Sequence, residues 1–181
     1  LSQTTHASLF VSDDPAWEAL PRIKDYLAET LKPAILGMVS PQAIVGENVS
    51  IGKDTIVAPG ACIEGPAIIG RNCQIRHNAY IRAHVIVGDN CVVGNACELK
   101  NALLFNDCQV PHFNYVGDSI LGRHAHLGAG VVLSNFKSLP GNVTVQHGGG
   151  KIETGLRKFG ALIGDHTEIG CNSVLNPGSI I

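Results

Sequence analysis

The sequence predicts a solenoid built from short β-strands and tight turns. An apolar residue recurs at every sixth position from residue 39 to residue 105 without a miss, and the position four residues later is small or β-branched in most repeats. A helix needs an apolar period near 3.6 residues and a half-buried strand a period of 2, so neither ordinary element explains a period of six. The recurring apolar residues are Val39, Val45, Ile51, Val57, Ile63, Ile69, Ile75, Ile81, Val87, Val93, Leu99 and Phe105.

The composition agrees with this fold class and excludes some functions. The 181 residues include 21 glycines, which suit tight turns. The formal net charge of −2 provides no basic field for nucleic acid. No apolar run is long enough to cross a bilayer, and the N-terminal stretch LSQTTHASLF lacks the basic and apolar regions of a signal peptide. We therefore expect a cytoplasmic protein without nucleic-acid or membrane partners.

The six cysteines indicate buried thiols and not disulfides. No two of them form a CxxC pair, and Cys73, Cys91 and Cys97 occupy the small position of the repeat, which Ala, Val or Thr holds elsewhere. Small buried thiols of this kind are typical of a reduced, cytoplasmic protein.

Two regions are expected, a helical segment over residues 1–38 and the repeat over residues 39–181. Residues 13–36 show helical spacing, Pro15 suits the first turn, and Pro21 is expected to divide the helix in two. The role that we expect for the segment is a cap over the first coil. Because the chain begins with Leu1 and contains one methionine, Met38, it is also expected to be a piece of a longer protein.

The repeat changes phase within residues 109–130, QVPHFNYVGDSILGRHAHLGAG. Leu121, where the apolar repeat resumes, lies sixteen positions after Phe105, and sixteen is not a multiple of six. We expect the interruption at Pro111, where the chain would bulge and bring His112 out of the regular coil. Irregular backbone on a rigid scaffold is where function concentrates, and an imidazole can act as a general base near neutral pH.

An insertion over residues 134–160 separates Leu133 from Ile163, where the new phase returns. The stretches VTVQ and KIET around HGGG predict a small hairpin. A loop of this length on a compact solenoid is usually functional, and its lysines and arginines suit an anionic ligand.

Five short motifs, ELK, PHFNYVGD, LGAG, SNFK and RKFG, occur in an order and spacing that resemble the acetyltransferase domain of the bifunctional N-acetylglucosamine-1-phosphate uridyltransferases. The chain resembles still more the C-terminal domain of archaeal-type sugar-1-phosphate nucleotidylyltransferases that also acetylate amino sugars. Both groups are hexapeptide-repeat acyltransferases. The resemblance covers residues 39–181 and implies an all-β solenoid, the left-handed parallel β-helix, in which three hexads form one triangular coil. The chain has no room for the uridyltransferase domain of the bifunctional enzymes.

The resemblance implies acetyl transfer from acetyl-CoA to the amine of glucosamine 1-phosphate or galactosamine 1-phosphate. His112 would take a proton from the amine, Glu98 would orient the imidazole, and Asn135 would support the oxyanion. The residues implied for the acceptor are Arg82, Lys100 and Lys158 at its phosphate and Tyr115 and His126 at its sugar, and those implied for acetyl-CoA are Ala129, Phe136 and Cys171. His126, Phe136 and Cys171 replace an Asn, a Tyr and a Ser of the bifunctional enzymes. The family also implies a homotrimer, with Arg82 and Lys100 of one chain facing His112 of another, and acetyl transfer without a metal.

Two other functions occur on this fold class. A γ-class carbonic anhydrase needs a His-x4-His pair for zinc, and no two of the eight histidines have that spacing. His124 and His126 are expected to point in opposite directions from one strand. The other alternative is a non-catalytic, trimerising or regulatory domain associated with a sugar nucleotidyltransferase, which acetyl-CoA binding would distinguish from an enzyme.

Overall fold

Residues 4–181, which the computed structural model describes, form a parallel β-solenoid, and this confirms the predicted all-β fold. Two 3-10 turns, Ala7–Leu9 and Ala16–Glu18, precede helix α1, Ala19–Thr30. Each coil passes through three flat faces in the order B, A and C. Corner 1 joins face B to face A, corner 2 joins A to C, and corner 3 joins C back to B. No helix in residues 4–181 is long and apolar enough to cross a membrane.

The strands, numbered in chain order, stack in parallel on each face. Face B consists of β2 (Met38–Val39), β5 (Ile56–Val57), β8 (Gln74–Ile75), β11 (Val92–Asn95), β13 (Gln109–His112), β15 (His126–Leu127) and β20 (Glu168–Ile169). Face A consists of β3 (Ile44–Val45), β6 (Cys62–Ile63), β9 (Tyr80–Ile81), the first halves of β12 (Glu98–Leu104) and β14 (Tyr115–Leu121), β16 (Val132–Leu133) and β21 (Val174–Leu175). Face C consists of β1 (Ala34–Ile35), β4 (Val49–Ile51), β7 (Ala67–Ile69), β10 (Val85–Val87), the second halves of β12 and β14, β19 (Ala161–Ile163) and β22 (Ser179–Ile180).

The recurring apolar residues point into the triangular core. Those from Ile51 to Leu99 are buried, and Cys73, Cys91 and Cys97 are buried at the corners as predicted. Backbone hydrogen bonds between adjacent coils hold the stack, and the tight corners use left-handed residues, most of them Asn or Asp, which tolerate that backbone conformation. Each coil thus buries its apolar side chains against its neighbours.

Two successive coils contain 17 residues instead of the 18 of the coil below them both, and this explains the change of phase. Ile69 pairs with Val87 across a step of 18 residues, whereas Val87 pairs with Leu104, and Leu104 with Leu121, across steps of 17. The shortened turn lies at corner 2 in both coils, where β12 and β14 continue through the corner without a break. The predicted interruption at Pro111 was therefore wrong.

Phe105 points outward, although the repeat predicts it to be an inward residue. Leu104 takes the inward place, and the Phe105 ring packs edge-on against Phe10 with centroids 5.9 Å apart. At corner 1 the inward residue before His112 is the buried Val110, which pairs with Val93 of the coil below. His112 therefore lies at a regular corner and not on a bulge.

The N-terminal segment, residues 4–33, lies along face C. The prediction had placed it as a cap over the first coil. Leu20, Ile23 and Leu27 of α1 are buried there together with Trp17. Face C offers the helix an apolar surface that spans several coils, and its outward residues are Ile68, Ile86, Leu103, Ile120 and Leu162. Pro21 does not divide the helix, because it lies in the first turn of α1, where a missing N–H is tolerated.

The insertion contains the predicted hairpin, formed by β17 (Thr144–His147) and β18 (Gly150–Glu153). Val143, Val145 and Phe159 join the apolar cluster that buries α1, and the rings of Trp17 and Phe159 lie 6.0 Å apart. The N-terminal segment and the insertion therefore share one core outside the solenoid and approach each other beside corner 2.

Candidate active site

Face A brings together most of the candidate residues. Glu98 and Tyr115 pair in register on adjacent coils and point outward in the same row. Arg82 and Lys100 form the next row, nearer corner 2. His112 ends β13 at corner 1, three residues before Tyr115. A ligand on this face could contact the imidazole at one edge and the two cations at the other.

His112 has an exposed side chain on a fixed backbone. Its N–H donates to Asn114 Oδ1 at 3.0 Å, and its carbonyl accepts from Gly130 N–H at 3.0 Å. The ladder continues because the Ala129 carbonyl accepts a hydrogen bond from the coil that carries Cys171. His112, Ala129 and the exposed Cys171 are therefore stacked in one column at corner 1, which offers an imidazole beside a narrow strip of surface.

Glu98 pairs with Arg82 instead of His112. Its Oε1 accepts from Arg82 Nη1 at 3.0 Å, and this hydrogen bond raises the pKa of Arg82. Among the described residues Glu98 forms no ion pair with a histidine. The reason is its place on the coil, since Glu98 lies under Tyr115 on the flat face while His112 lies over Asn95 at the corner. Within one chain, Glu98 does not orient the imidazole as expected.

Asp118 is a functional candidate that the sequence analysis missed. Its side chain is 8% exposed. The carboxylate accepts hydrogen bonds from Lys100 Nζ at 3.3 Å, from Asn101 Nδ2 at 2.8 Å and from the side-chain amide of Asn135. A nearly buried carboxylate with three donors holds them in fixed positions. The signal was the aspartate of the PHFNYVGD motif, to which we assigned no role.

Asn135 lies at corner 2 and not beside His112. Its amide donates to Asp118 and approaches the Tyr115 hydroxyl, so a Cβ at Gly117 would meet both side chains within 2.6 Å. Burial and the negative charge of Glu98 raise the pKa of Tyr115. Within one chain, Asn135 therefore fixes the phenol and Asp118 and does not reach the position of an oxyanion formed at His112.

Two adjoining cavities border corner 2, where basic residues collect. One of 400 Å³ is lined by Arg82 and Lys100, and one of 320 Å³ is lined by Arg157 and Lys158. The structure thus places the three basic residues predicted for a phosphate, including Lys158, along one depression. Arg157 belongs to the insertion, whose basic residues were expected to suit an anionic ligand, but no separate role was predicted for it.

Phe136 lies at the base of the insertion, away from Ala129 and Cys171. Its ring packs under the Arg157 guanidinium at 4.3 Å, and its backbone bridges to Lys158. The guanidinium also donates to backbone carbonyls of Lys137, Leu139 and Gly141. Within one chain, Phe136 therefore supports the insertion and does not share a column with the other two residues expected at acetyl-CoA.

His126 points outward from face B, between Gln109 and Glu168. With His124 and His166, whose rings stack 4.9 Å apart, it lines a cleft of 590 Å³ at corner 3. The expectation that His124 and His126 point in opposite directions was wrong, because residues two positions apart along an extended chain lie on the same face, and both line this cleft. Among residues 4–181, no three His, Cys, Asp or Glu side chains are grouped to hold a metal ion.

Comparisons with known proteins identify relatives of this chain. The family model described as the GMPPB C-terminal domain matches residues 63–150. An uncharacterized acetyltransferase, YaiX, of Escherichia coli O6:K15:H31 is 32% identical over 189 aligned positions, which cover 97% of this chain and 82% of the relative.

Two bifunctional relatives match a shorter region. A protein named GlmU from Methanococcus vannielii is 37% identical over 86 residues, or 48% of this chain and 20% of the relative. A sugar-1-phosphate nucleotidylyltransferase/acetyltransferase from Sulfurisphaera tokodaii is 35% identical over 86 residues, or 48% of this chain and 21% of the relative. The alignment with this chain thus spans about a fifth of each bifunctional relative.

Proposed function

This chain belongs to the hexapeptide-repeat acyltransferases, and on that premise we propose that it transfers the acetyl group of acetyl-CoA to the amine of an amino sugar with a phosphate at its anomeric carbon. Glucosamine 1-phosphate and galactosamine 1-phosphate are the simplest acceptors of this class. The exposed imidazole of His112 carries the proposal, because it stands at the edge of a face that also holds two cations.

His112 acts as the general base in this mechanism. An ammonium has no lone pair, so the imidazole must hold the proton that the amine loses as its nitrogen attacks the thioester carbon. The C–N bond forms, the C–S bond breaks, and the thiolate of CoA leaves and takes up a proton. In this proposal the elongated pantetheine arm lies along the column of His112, Ala129 and Cys171. The small side chain of Ala129 leaves room for the arm, and a larger side chain there would obstruct it.

The acceptor lies across face A in this proposal. Its sugar contacts Tyr115, and its phosphate draws Arg82 and Lys100 from their ion pairs with Glu98 and Asp118. Both cations are partly exposed, at 39% and 25%, so exchanging a carboxylate for a dianionic phosphate costs little desolvation. Lys158 borders the same depression from the insertion.

A homotrimer would complete the site. Within one chain neither Glu98 nor Asn135 reaches His112, whereas a second copy against face A could place such groups there. We propose, as the family resemblance implies, that the active site lies between neighbouring chains with closed three-fold symmetry.

One observation favours a second candidate, a non-catalytic domain that trimerises or regulates a sugar nucleotidyltransferase. Arg82 and Lys100 already have carboxylate partners, so the chain is electrostatically satisfied without a substrate. A domain of this kind would neither bind acetyl-CoA nor release CoA from it.

The experiment is CoA release from acetyl-CoA with glucosamine 1-phosphate and with galactosamine 1-phosphate. His112→Ala is expected to lower kcat by about 100-fold or more, because a general base contributes that much. His77→Ala is the matched control, since His77 is an exposed histidine two coils lower at the same corner, and it should keep the parent rate. Absence of turnover with both sugars and of acetyl-CoA binding would instead support the regulatory domain.

A further inference from the structure

The two parts of the chain that depart from the repeat meet at one place. The N-terminal segment and the insertion share an apolar cluster over face C, and between them a groove follows corner 2. Leu20 and Pro21 of α1 form one wall, and Leu156 to Lys158 form another. A plain solenoid would have an open edge here, so both additions shape this groove.

The groove is formed by the cavities of 400 Å³ and 320 Å³, which share Leu20, Pro21, Asn101 and Asp118 as lining residues. Each volume lies within the range of small-molecule pockets, about 300–1,000 Å³. The first cavity opens beside Arg82 and Lys100, where the proposed function places the anomeric phosphate. The second continues beyond it, away from His112.

Positive charge exceeds negative charge along this path. Four cations line the two cavities, namely Arg82, Lys100, Arg157 and Lys158, against the carboxylates of Glu64 and Asp118. Arg157 is held by backbone carbonyls, whereas the exposed Lys158 forms no ion pair among the described residues. Lys158 is therefore the cation able to bind a second anionic group.

His84 lines the first cavity together with Arg82 and Lys100. Burial lowers its pKa, and the charges of Lys24 and Lys100 lower it further, so the folded chain favours the neutral ring. A neutral imidazole can donate to or accept from a phosphate oxygen or a hydroxyl without adding charge.

We infer that the acceptor of this enzyme carries a diphosphate, with the first phosphate at Arg82 and Lys100 and the second beside Lys158 in the groove between α1 and the insertion. This inference rests on the proposed function and reassigns Lys158 from the first phosphate to the second. The group linked beyond the second phosphate, such as a nucleoside or a lipid, lies past the end of the groove. The amino sugar then extends over face A toward His112.

The test is calorimetric titration of the full chain with inorganic phosphate, glucosamine 1-phosphate, inorganic pyrophosphate, UDP and GDP. Pyrophosphate should bind about tenfold or more tightly than phosphate, as one additional charged contact predicts. Lys158→Ala should remove that advantage by lowering the affinity for pyrophosphate toward that for phosphate. Lys151→Ala, which alters an exposed lysine of the same insertion outside the groove, should change neither affinity.

The titrations with different ligands distinguish the possible results. Tighter binding of UDP or GDP than of pyrophosphate assigns the remainder of the ligand to a nucleoside, and equal binding of all three leaves a lipid diphosphate. Equal affinity for phosphate and pyrophosphate, or no effect of Lys158→Ala, overturns the inference. If the chain acetylates glucosamine 1-phosphate but binds pyrophosphate no more tightly than phosphate, the proposed function holds and this inference fails. If the chain binds diphosphates but transfers no acetyl group, the diphosphate site holds and the proposed function fails.

Discussion

The coil above leaves no room for a side chain at Gly94, close to corner 1. A Cβ at this position would lie 1.6 Å from the carbonyl oxygen of Pro111, far inside van der Waals contact. The clash involves backbone on both sides, so no side-chain rotation can relieve it. Gly94 is therefore required by the stacking of two coils and not by the conformation of its own backbone.

We predict that Gly94→Ala lowers the free energy of unfolding by about 1–3 kcal/mol or more, as overpacking does in a close-packed interior. Gly170→Ala is the control, because the nearest atom to its added Cβ is 3.9 Å away. That change should stay within about 0.5 kcal/mol. Urea unfolding of both variants gives the comparison, and equal midpoints would show that the coils can separate at this point.

The family resemblance supplied most of the candidate residues. The structure places His112, Tyr115 and the two cations on one side of the molecule, because stacked repeats bring equivalent positions together. The ion pairs could not be predicted in the same way. Arg82 pairs with Glu98, and Lys100 pairs with Asp118. These pairs depend on how far each side chain extends between coils, which the repeat does not specify.

At the scale of elements, the N-terminal segment contributes a second core. Ile23 is fully buried in the apolar cluster over face C, although it belongs to a helix outside the repeat. Deleting most of a buried isoleucine side chain removes its burial energy and leaves a cavity. The segment therefore adds to the stability of the whole solenoid.

Ile23→Ala is expected to lower the free energy of unfolding by about 2–5 kcal/mol. The control is Val11→Ala, whose side chain is 53% exposed and whose loss should cost no more than about 0.5 kcal/mol. Chemical denaturation measured by circular dichroism tests both. Similar midpoints for the two variants would mean that the segment detaches before the solenoid unfolds.

The sequence predicted which elements form better than where they pack. The period of six revealed the strands, and the hairpin followed from its turn residues. Leu104 and Phe105 are both apolar, so the period alone could not show which of them points inward. The helix pattern likewise fits any apolar surface, and only the alternate outward residues of face C, such as Ile86, Leu103 and Ile120, indicated its true location.

For the whole molecule, two histidines link stability to pH. His6 Nδ1 lies 2.8 Å from the Tyr26 hydroxyl, and burial lowers the pKa of His6 despite the nearby charge of Asp89. Burial also lowers the pKa of His84. Because both rings favour the neutral form when folded, the unfolded chain takes up protons first as the pH falls through the ordinary histidine value of 6.5.

We therefore predict that stability is greatest above pH 6.5 with respect to these groups and declines on acidification below it. His6→Gln, which keeps a hydrogen-bond acceptor for Tyr26, should weaken the decline between about pH 7 and pH 5. His77→Gln, at an exposed position, should leave the decline as in the parent. Urea midpoints measured across this range test the sign, and a rise in stability on acidification would contradict it.

The shared core of the N-terminal segment and the insertion has a consequence for synthesis on the ribosome. Coils can stack in the order in which they emerge, since each contacts only its neighbours. The apolar side of α1 is made early, whereas Val143 and Phe159, which complete its cover, are made late. At about 5–20 residues per second, the interval from Leu9 to Phe159 lasts roughly 8–30 s. Helix α1 is therefore translated before the residues that complete its burial, and during that interval the nascent chain exposes part of its apolar surface.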